Sequence, residues 1–89
     1  MYMWVVYLLK QNTSGELYIG VTSDLQRRLQ EHNSGNQTAT HRVNGKWLLV
    51  YAEAYRSKID AFKREQMLKH HGSSKQKLYL RIQNSLEAE

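Results

Sequence analysis

The sequence predicts an α/β fold in which a small, central three-stranded sheet is flanked by helices. Three segments, residues 3–10, 17–21 and 47–55, carry the continuous or alternating apolar residues that are typical of strands. Segments with helical periodicity and polar capping residues follow the second and third strands. The short polar stretch 11–15 has turn chemistry, so the first two strands are expected to form a hairpin.

The first strand is apolar on both faces, which predicts a central position in a sheet that is covered on both sides. In the second strand, apolar residues alternate with Tyr18 and Gly20, which share the opposite face. Gly20 leaves that face open beside Tyr18. A glycine within a strand often marks the close approach of a ligand or of another backbone.

The first helix is expected to start at Ser23 or Asp24, because their side-chain oxygens, like that of Thr22, can accept from the free N–H groups of a first turn. It is expected to end within 33–36, where Gly35 can form a left-handed cap.

The phase of this helix separates two adjacent arginines. At about 100° per residue, Leu25 and Leu29 form a narrow apolar stripe that Arg28 and His32 flank, whereas Arg27 points away. Arg28 is therefore expected to lie against the domain, near the open face of Tyr18. On this stretch alone, a structural ion pair is the favoured interpretation of this arginine.

The second half of the chain alternates strand and helix signals. Residues 37–46 are polar and predict a loop, which the third strand, 47–55, follows. Ser57 is expected to cap a second helix that runs to about His71. Residues 72–74 predict a break, and a third helix is expected from Ser74 to about Leu86.

Glu65 is an anomaly in the second helix. Helical geometry places it between Ala61 and Leu68 on one side and Phe62 on the other, within the apolar arc. A buried carboxylate needs a cation, hydrogen-bond donors or a metal ion. Either an ion pair with an arginine such as Arg28 or a hard divalent ion would satisfy it.

Composition narrows the class of protein. At 89 residues, the chain is expected to form one domain, 1–89. Without cysteine it forms no disulfide and no thiolate metal site, which fits a cytoplasmic location. No apolar run approaches the roughly 20 residues of a membrane span. The apolar first segment lacks a basic leader and a cleavage site, so we interpret it as a strand and not a signal peptide.

The positive charge indicates a polyanionic partner. The net charge is +5 and the isoelectric point is near 9.6, and residues 56–81 alone contain eight Lys or Arg. Nucleic acid is favoured over membrane because no basic amphipathic helix stands clear of the core. A solvated basic face is the alternative. The candidate nucleic-acid-binding residues are Arg42, Lys63, Lys69, Lys75 and Lys77.

The ordered motifs resemble the GIY-YIG nuclease superfamily, in particular small stand-alone members related to the catalytic domain of the UvrC excision-repair nuclease. Val5-Val6-Tyr7 occupies the position of the first motif, and Tyr18-Ile19-Gly20 matches the second. Ten residues separate the two tyrosines, and Arg28 follows Gly20 by eight. His32 comes one turn later, and Glu65 falls in the later helix.

The resemblance implies an antiparallel sheet and a Mg²⁺- or Mn²⁺-dependent endonuclease that hydrolyses DNA phosphodiester bonds in repair or processing. It implies that Glu65 holds the metal ion and that Arg28 stabilises charge on the phosphate. Tyr7 or Tyr18 would act on the attacking water, with His32 assisting. DNA is the implied partner, and a larger repair complex and the oligomeric state are left open.

The chain departs from the family pattern at two points. The first motif lacks its Gly-Ile, and no asparagine lies between Glu65 and Gln83, where the family often carries one. Lys75 and Lys77 occupy that region instead. The alternative function is a nucleic-acid-binding module with weak or no cleavage, and a protein-interaction domain is a third possibility.

Overall fold

The computed structural model describes residues 3–34 and 45–88 and forms a three-stranded sheet with helices on both faces. The sheet order is β2-β1-β3, and β1 pairs antiparallel with both neighbours. The predicted fold class, the hairpin and the central position of the first strand are therefore confirmed. The elements are β1 (Trp4–Gln11), β2 (Leu17–Thr22), α1 (Leu25–Ser34), β3 (Trp47–Tyr55), α2 (Lys58–His70), α3 (Gly72–Arg81) and α4 (Gln83–Glu87).

Each face of the sheet has its own apolar core. On one face, α2 and α3 cover β1 and β2, and the buried residues are Val6, Leu8, Ile19, Ala61, Leu68, Leu78 and Ile82. On the other face, α1 places Leu25 and Leu29 against Tyr7, Leu9 and Trp47. The alternation of β1 side chains between the two cores explains why this strand is apolar throughout.

The β1–β2 turn is held by the side chain of Gln11, which is fully buried. Its Oε1 atom accepts from the backbone N–H groups of Thr13 and Ser14, each at 2.7 Å. Gly15 has a φ of +76°, a left-handed conformation that glycine adopts without steric cost. These contacts satisfy the polar groups of the turn and fix the hairpin register.

The helix starts agree with the capping residues that the sequence offers. Asp24 precedes α1, and its Oδ1 atom accepts from the Arg27 N–H at 3.2 Å. Ser57 precedes α2, and its Oγ atom accepts from the Asp60 N–H at 3.3 Å. Both predicted N-caps are therefore confirmed.

Three expectations are corrected. The second helix ends at His70, and extended backbone at His71 turns the chain, so α3 already begins at Gly72 and not at Ser74. The predicted third helix is divided at Ile82 into α3 and α4. Phe62 is 39% exposed, because it lies at the rim of α2 against Trp4 and not in the buried arc.

Some expectations cannot be compared with the structure. The predicted cap at Gly35, most of the loop 37–46 and the candidate residue Arg42 lie outside the described residues. Within the two described ranges, the helices are all too short or too polar to cross a membrane.

Candidate active site

The structure brings Tyr7, Tyr18, Arg28 and His32 together on the face of the sheet that α1 covers. Tyr7 comes from the central strand and Tyr18 from the neighbouring strand β2. Arg28 and His32 lie one turn apart on α1. The helix phase and the strand alternation therefore place residues distant in sequence in one layer.

Tyr7 and His32 form a buried hydrogen-bonded pair. The Tyr7 hydroxyl lies 3.0 Å from His32 Nε2, and the two residues are 1% and 2% exposed. The ring of Tyr18 packs against His32 with a centroid distance of 4.8 Å, in an edge-on arrangement. His32 is therefore held from two sides, by a hydrogen bond and by an aromatic contact.

Gly20 makes room for this pair. It lies directly opposite Tyr7 in the β1–β2 register. A Cβ atom at Gly20 would overlap the hydroxyl and the ring of Tyr7. The open face that the sequence predicts is thus filled by a side chain of the protein itself.

Arg28 and Arg27 differ as the helix phase predicts. Their side chains are 31% and 72% exposed. Arg28 Nη1 lies 3.2 Å from Glu31 Oε1, and Arg27 also pairs with Glu31. The ion pair considered for Arg28 therefore exists, but its partner is Glu31 and not Glu65.

Glu65 lies on the buried side of α2, between Ala61 and Leu68, and is 7% exposed. Its carboxylate has two neighbours from its own helix. Lys69 Nζ lies 3.4 Å from one oxygen, and Gln66 Nε2 donates to the other at 3.2 Å. The predicted burial is correct, and the cation that accompanies it is a lysine one turn further along α2.

Arg28, Tyr18 and Glu65 all act on the Tyr7 hydroxyl. Burial, followed by the neighbouring Tyr18, raises the pKa of Tyr7 to about 12. Arg28 opposes this shift, as a hydrogen-bonding partner and positive charge, and the Glu65 carboxylate adds to it. Tyr7 therefore keeps its proton at neutral pH. Tyr18, Arg28 and His32 lie on the same face of the sheet as this hydroxyl, whereas Glu65, on α2, acts on it through its charge alone.

His32 is neutral in this environment. Burial lowers the pKa of its imidazole, and the positive charge of Arg28 lowers it further, against a smaller opposing effect of Glu31. A neutral imidazole has one nitrogen that accepts a hydrogen bond. With Nε2 as that nitrogen, the Tyr7 hydroxyl donates to His32.

The donor set near Tyr7 suits a hard cation but is sparse. Within residues 3–34 and 45–88, no three His, Asp or Glu side chains converge as a ligand cluster. Glu65 offers one carboxylate, whose oxygens are the ligand type that Mg²⁺ prefers, usually with several waters and substrate phosphates completing the shell. Glu65 can therefore supply one carboxylate ligand to such an ion, and the other ligands would have to come from water and substrate.

The basic residues lie mainly on the outer surfaces of α2 and α3. Lys63, Lys69 and Lys77 are exposed and Lys75 is half-buried. Of these four, Lys69 forms an ion pair with Glu65. Asn84, which follows the region where the family asparagine is expected, is exposed on α4.

Sequence reasoning did not identify a second polar network, centred on Glu53. Its carboxylate accepts from the hydroxyls of Tyr51 and Tyr55 and from Arg64 Nε, the last at 2.6 Å. The signal was present in the alternation of Tyr51, Glu53 and Tyr55, which puts all three on one face of β3. The fourth member of the network, Arg64 on α2, donates to Glu53 and has no local signal in the sequence.

A second unpredicted contact ties α1 to β3. The Asn33 side chain accepts from the Trp47 N–H at 2.7 Å and donates to the Trp47 carbonyl at 3.1 Å. An amide paired in this way imitates a neighbouring strand. It fixes the end of the helix that carries Arg28 and His32.

Comparisons with known proteins agree with this fold. The family model of the GIY-YIG catalytic domain matches residues 3–82. A UPF0213 protein of Vibrio campbellii is 35% identical over 75 residues, which are 84% of this chain and 71% of that protein. A UPF0213 protein of Yersinia enterocolitica is 35% identical over 85 residues, which are 94% and 87% of the two chains.

A solved structure shows the same arrangement. The solution NMR structure of a UPF0213 protein from Bacillus halodurans has a TM-score of 0.53 and 33% sequence identity, and the match covers 90% of this chain and 85% of that one. The family match spans most of the chain, and the solved relative has a similar fold. The chain therefore belongs to the GIY-YIG catalytic domain family, among the small proteins named UPF0213.

Proposed function

We propose that this protein is a metal-dependent endonuclease that hydrolyses DNA phosphodiester bonds. One observation carries the proposal: Tyr7 is hydrogen-bonded to a buried, neutral His32, and both Arg28 and Glu65 act on its hydroxyl. Groups for proton transfer and charge stabilisation thus surround this hydroxyl, and Glu65, whose charge acts on it, offers a carboxylate ligand for a cation. Membership of the GIY-YIG family supports the same activity.

Arg28 binds the scissile phosphate in this proposal. Its guanidinium is always charged, and its planar fork can donate to two phosphate oxygens. Burial acts against its charge, yet the interactions with Tyr7 and Glu31 keep the pKa of the guanidinium above its usual value. Glu31 holds one end of the fork and leaves donors that face the site.

Glu65 is the proposed metal ligand. When bound there, Mg²⁺ or Mn²⁺ would polarise the phosphate and stabilise the leaving oxygen. Lys69 neutralises the carboxylate in this structure, and its side chain is 37% exposed, so it has room to move aside.

Tyr7 and His32 move the proton. Because Tyr7 keeps its own proton, it does not act as a free phenolate. Its hydroxyl can take a proton from the attacking water while it passes its own to His32 Nε2. The relay requires a neutral imidazole, which burial of His32 provides. Tyr18 supports the relay by holding the imidazole ring in place.

The alternative is a nucleic-acid-binding module with weak or no cleavage. The ion pair between Glu65 and Lys69 favours it, because the lysine occupies the carboxylate that the metal ion needs. A role in DNA repair or processing, a larger complex, a cytoplasmic location and a single domain over residues 1–89 remain predictions.

Cleavage of supercoiled, branched and single-stranded DNA, with and without Mg²⁺ or Mn²⁺, tests the proposal. We expect Glu65→Ala to abolish metal-dependent cleavage while the thermal unfolding transition stays cooperative. Arg28→Ala should lower the cleavage rate by about 10²–10³-fold, the usual cost of removing a donor that stabilises transition-state charge. Arg27→Ala is the matched control, because Arg27 shares the partner Glu31 but faces solvent.

Two outcomes would contradict the assignment. Equal cleavage by Glu65→Ala and the parent protein would remove the metal ligand from the proposal. A larger loss from Arg27→Ala than from Arg28→Ala would show that the wrong arginine binds the phosphate. Salt-sensitive DNA binding without turnover at any metal concentration would favour the binding module.

A further inference from the structure

We propose that Arg64, Ser74, Lys77 and Arg81 form a second phosphate-binding site, which holds a backbone phosphate of the nucleic acid away from the catalytic residues. The inference rests on the proposed function only for the identity of the polyanion. The site itself follows from the packing of α2 against α3.

The four residues line one cleft. Arg64 comes from α2, whereas Ser74, Lys77 and Arg81 lie three or four residues apart on α3 and so share one face of that helix. Together with Leu78 they surround a cavity of about 290 Å³. Leu78 is 3% exposed and closes its floor. The cleft therefore has polar walls and an apolar base.

The charges in this cleft are not balanced. Glu53 is the carboxylate that reaches Arg64, and Tyr51 and Tyr55 donate to it as well, so both of its oxygens are already engaged. Within the described ranges, neither Lys77 nor Arg81 forms an ion pair. Three positive charges thus face one negative charge that is already saturated.

Glu53 also orients Arg64. Its carboxylate accepts from the Arg64 Nε at 2.6 Å, and the two side chains are 18% and 25% exposed. Burial opposes its charge, but the donors from Tyr51, Tyr55 and Arg64 keep the pKa of Glu53 below its usual value. The guanidinium is therefore fixed through Nε. Its Nη1 atom also lies 3.9 Å from the Met67 sulfur, but a thioether is a weak acceptor, so the amino groups can still donate to a phosphate.

An anion explains this arrangement better than a structural role does. Lys77 and Arg81 are like charges four residues apart on one helix, a spacing that destabilises an isolated helix. A phosphate would neutralise both, accept from Arg64 and take a hydrogen bond from the Ser74 hydroxyl. Arginine forks, a lysine and a hydroxyl are the usual donors to a nucleic-acid backbone.

The cleft is separate from the catalytic residues. Arg64 and Glu65 are adjacent on α2 and so point about 100° apart. Arg64 reaches Glu53 on the edge strand β3, whereas Glu65 acts on Tyr7 of the central strand β1. One α-helix therefore presents a catalytic carboxylate on one side and an anchoring cation on the other.

The site is tested by measuring the binding of a short DNA duplex without divalent metal. Fluorescence anisotropy gives the affinity at several salt concentrations. The pocket variant Lys77→Gln/Arg81→Gln should reduce the slope of log affinity against log salt by about 0.9, the value for one phosphate contact. The control Lys46→Gln/Arg56→Gln removes the same charge from exposed positions outside the cleft and should leave that slope unchanged. Equal losses in the two variants, or no loss in the pocket variant, would overturn the proposal.

A titration with inorganic phosphate, monitored by NMR, gives an independent test of the site. The Arg64 and Arg81 Nε–H signals and the Ser74 amide should shift together and saturate, whereas an equal ionic strength of chloride should not move them. Shifts spread over all basic residues would contradict a defined site. Because neither measurement requires cleavage, loss of activity in Glu65→Ala tests the proposed function separately.

Discussion

Replacement of Gly20 by alanine tests whether the Tyr7–His32 pair needs the space that glycine leaves opposite Tyr7. Gly20 lies opposite Tyr7, and an added Cβ would overlap the Tyr7 hydroxyl and its ring. The ring is 1% exposed, and its hydroxyl is held by His32 at 3.0 Å. The methyl group therefore forces either the strand or the ring to move, and we expect the hydrogen bond to be lost.

The expected loss of stability combines three effects. Overpacking a buried site costs about 1–3 kcal/mol. Loss of a buried hydrogen bond adds about 0.5–1.5 kcal/mol. Alanine recovers roughly 0.5–1 kcal/mol, because glycine loses more conformational freedom in a strand. The net expectation is about 0.5–4 kcal/mol less stability, and a loss of about 2 kcal/mol would lower the melting temperature by about 8–16 °C.

Urea denaturation of Gly20→Ala and of a matched variant, Gly72→Ala, measures this effect. Gly72 lies in the first turn of α3, and an added Cβ there meets nothing within 4 Å. Alanine at that position should stabilise the protein by up to about 1 kcal/mol. The same chemical change should thus have opposite signs at the two glycines.

A double variant separates the clash from other causes. Tyr7→Phe deletes the hydroxyl that the new Cβ overlaps, so Tyr7→Phe/Gly20→Ala should lose less stability than the two single changes added together. If Gly20→Ala is as stable as the parent and the NMR signals of His32 are unchanged, the close fit of Tyr7 over Gly20 is wrong.

Three further predictions concern pH. The pKa values of Tyr7 and Tyr55 are raised to about 12, so their contributions to stability are complete below about pH 10 and disappear as the pH rises towards 12. The pKa values of Tyr51 and Tyr79 are raised as well, so an ultraviolet titration of tyrosinate should show several late groups, and Tyr7→Phe should remove one of those that titrate near pH 12. Burial and Arg28 lower the pKa of His32, so its contribution is complete above pH 6.5 and decreases as the pH falls below that value; His32→Gln should flatten this part of the stability curve measured by urea denaturation. Glu53→Gln should cost about 1–3 kcal/mol at neutral pH, because three donors lose a charged acceptor, and the difference from the parent should shrink as the pH falls below 4.5; no difference at neutral pH would contradict the network.

The sequence predicted those features that depend on local periodicity. Alternation along the strands places Tyr7 and Tyr18 on one face of the sheet and the residues of the other core on the opposite face. Helical phase places Arg28 against the domain and Arg27 towards solvent. The N-caps at Asp24 and Ser57 were visible because capping is a contact within one turn. The fold class and most element bounds followed from the same local rules.

The partners of the charged residues could not be predicted in this way. Glu65 pairs with Lys69, and Arg28 pairs with Glu31. Other cations and carboxylates lie at similar spacings in the sequence, so spacing alone does not select these partners. Glu53 requires knowledge of which helix covers β3, a contact between distant segments. The helix break was predicted from Gly72, but the extended backbone that ends the helix is at His71, and Gly72 does not have a positive φ.

The hydrogen bonds between Asn33 and Trp47 join α1 directly to β3, independently of the chain that connects the two elements. The two ends of this connection are held next to each other, because the Asn33 side-chain amide bonds both the N–H and the carbonyl of Trp47. An insertion between them would then add loop-closure entropy only, about 0.6 kcal/mol for each doubling of length. Arg28 and His32 would stay in place, so we expect this connection to accept changes in length without disturbing the packing of Tyr7 and Tyr18 against His32.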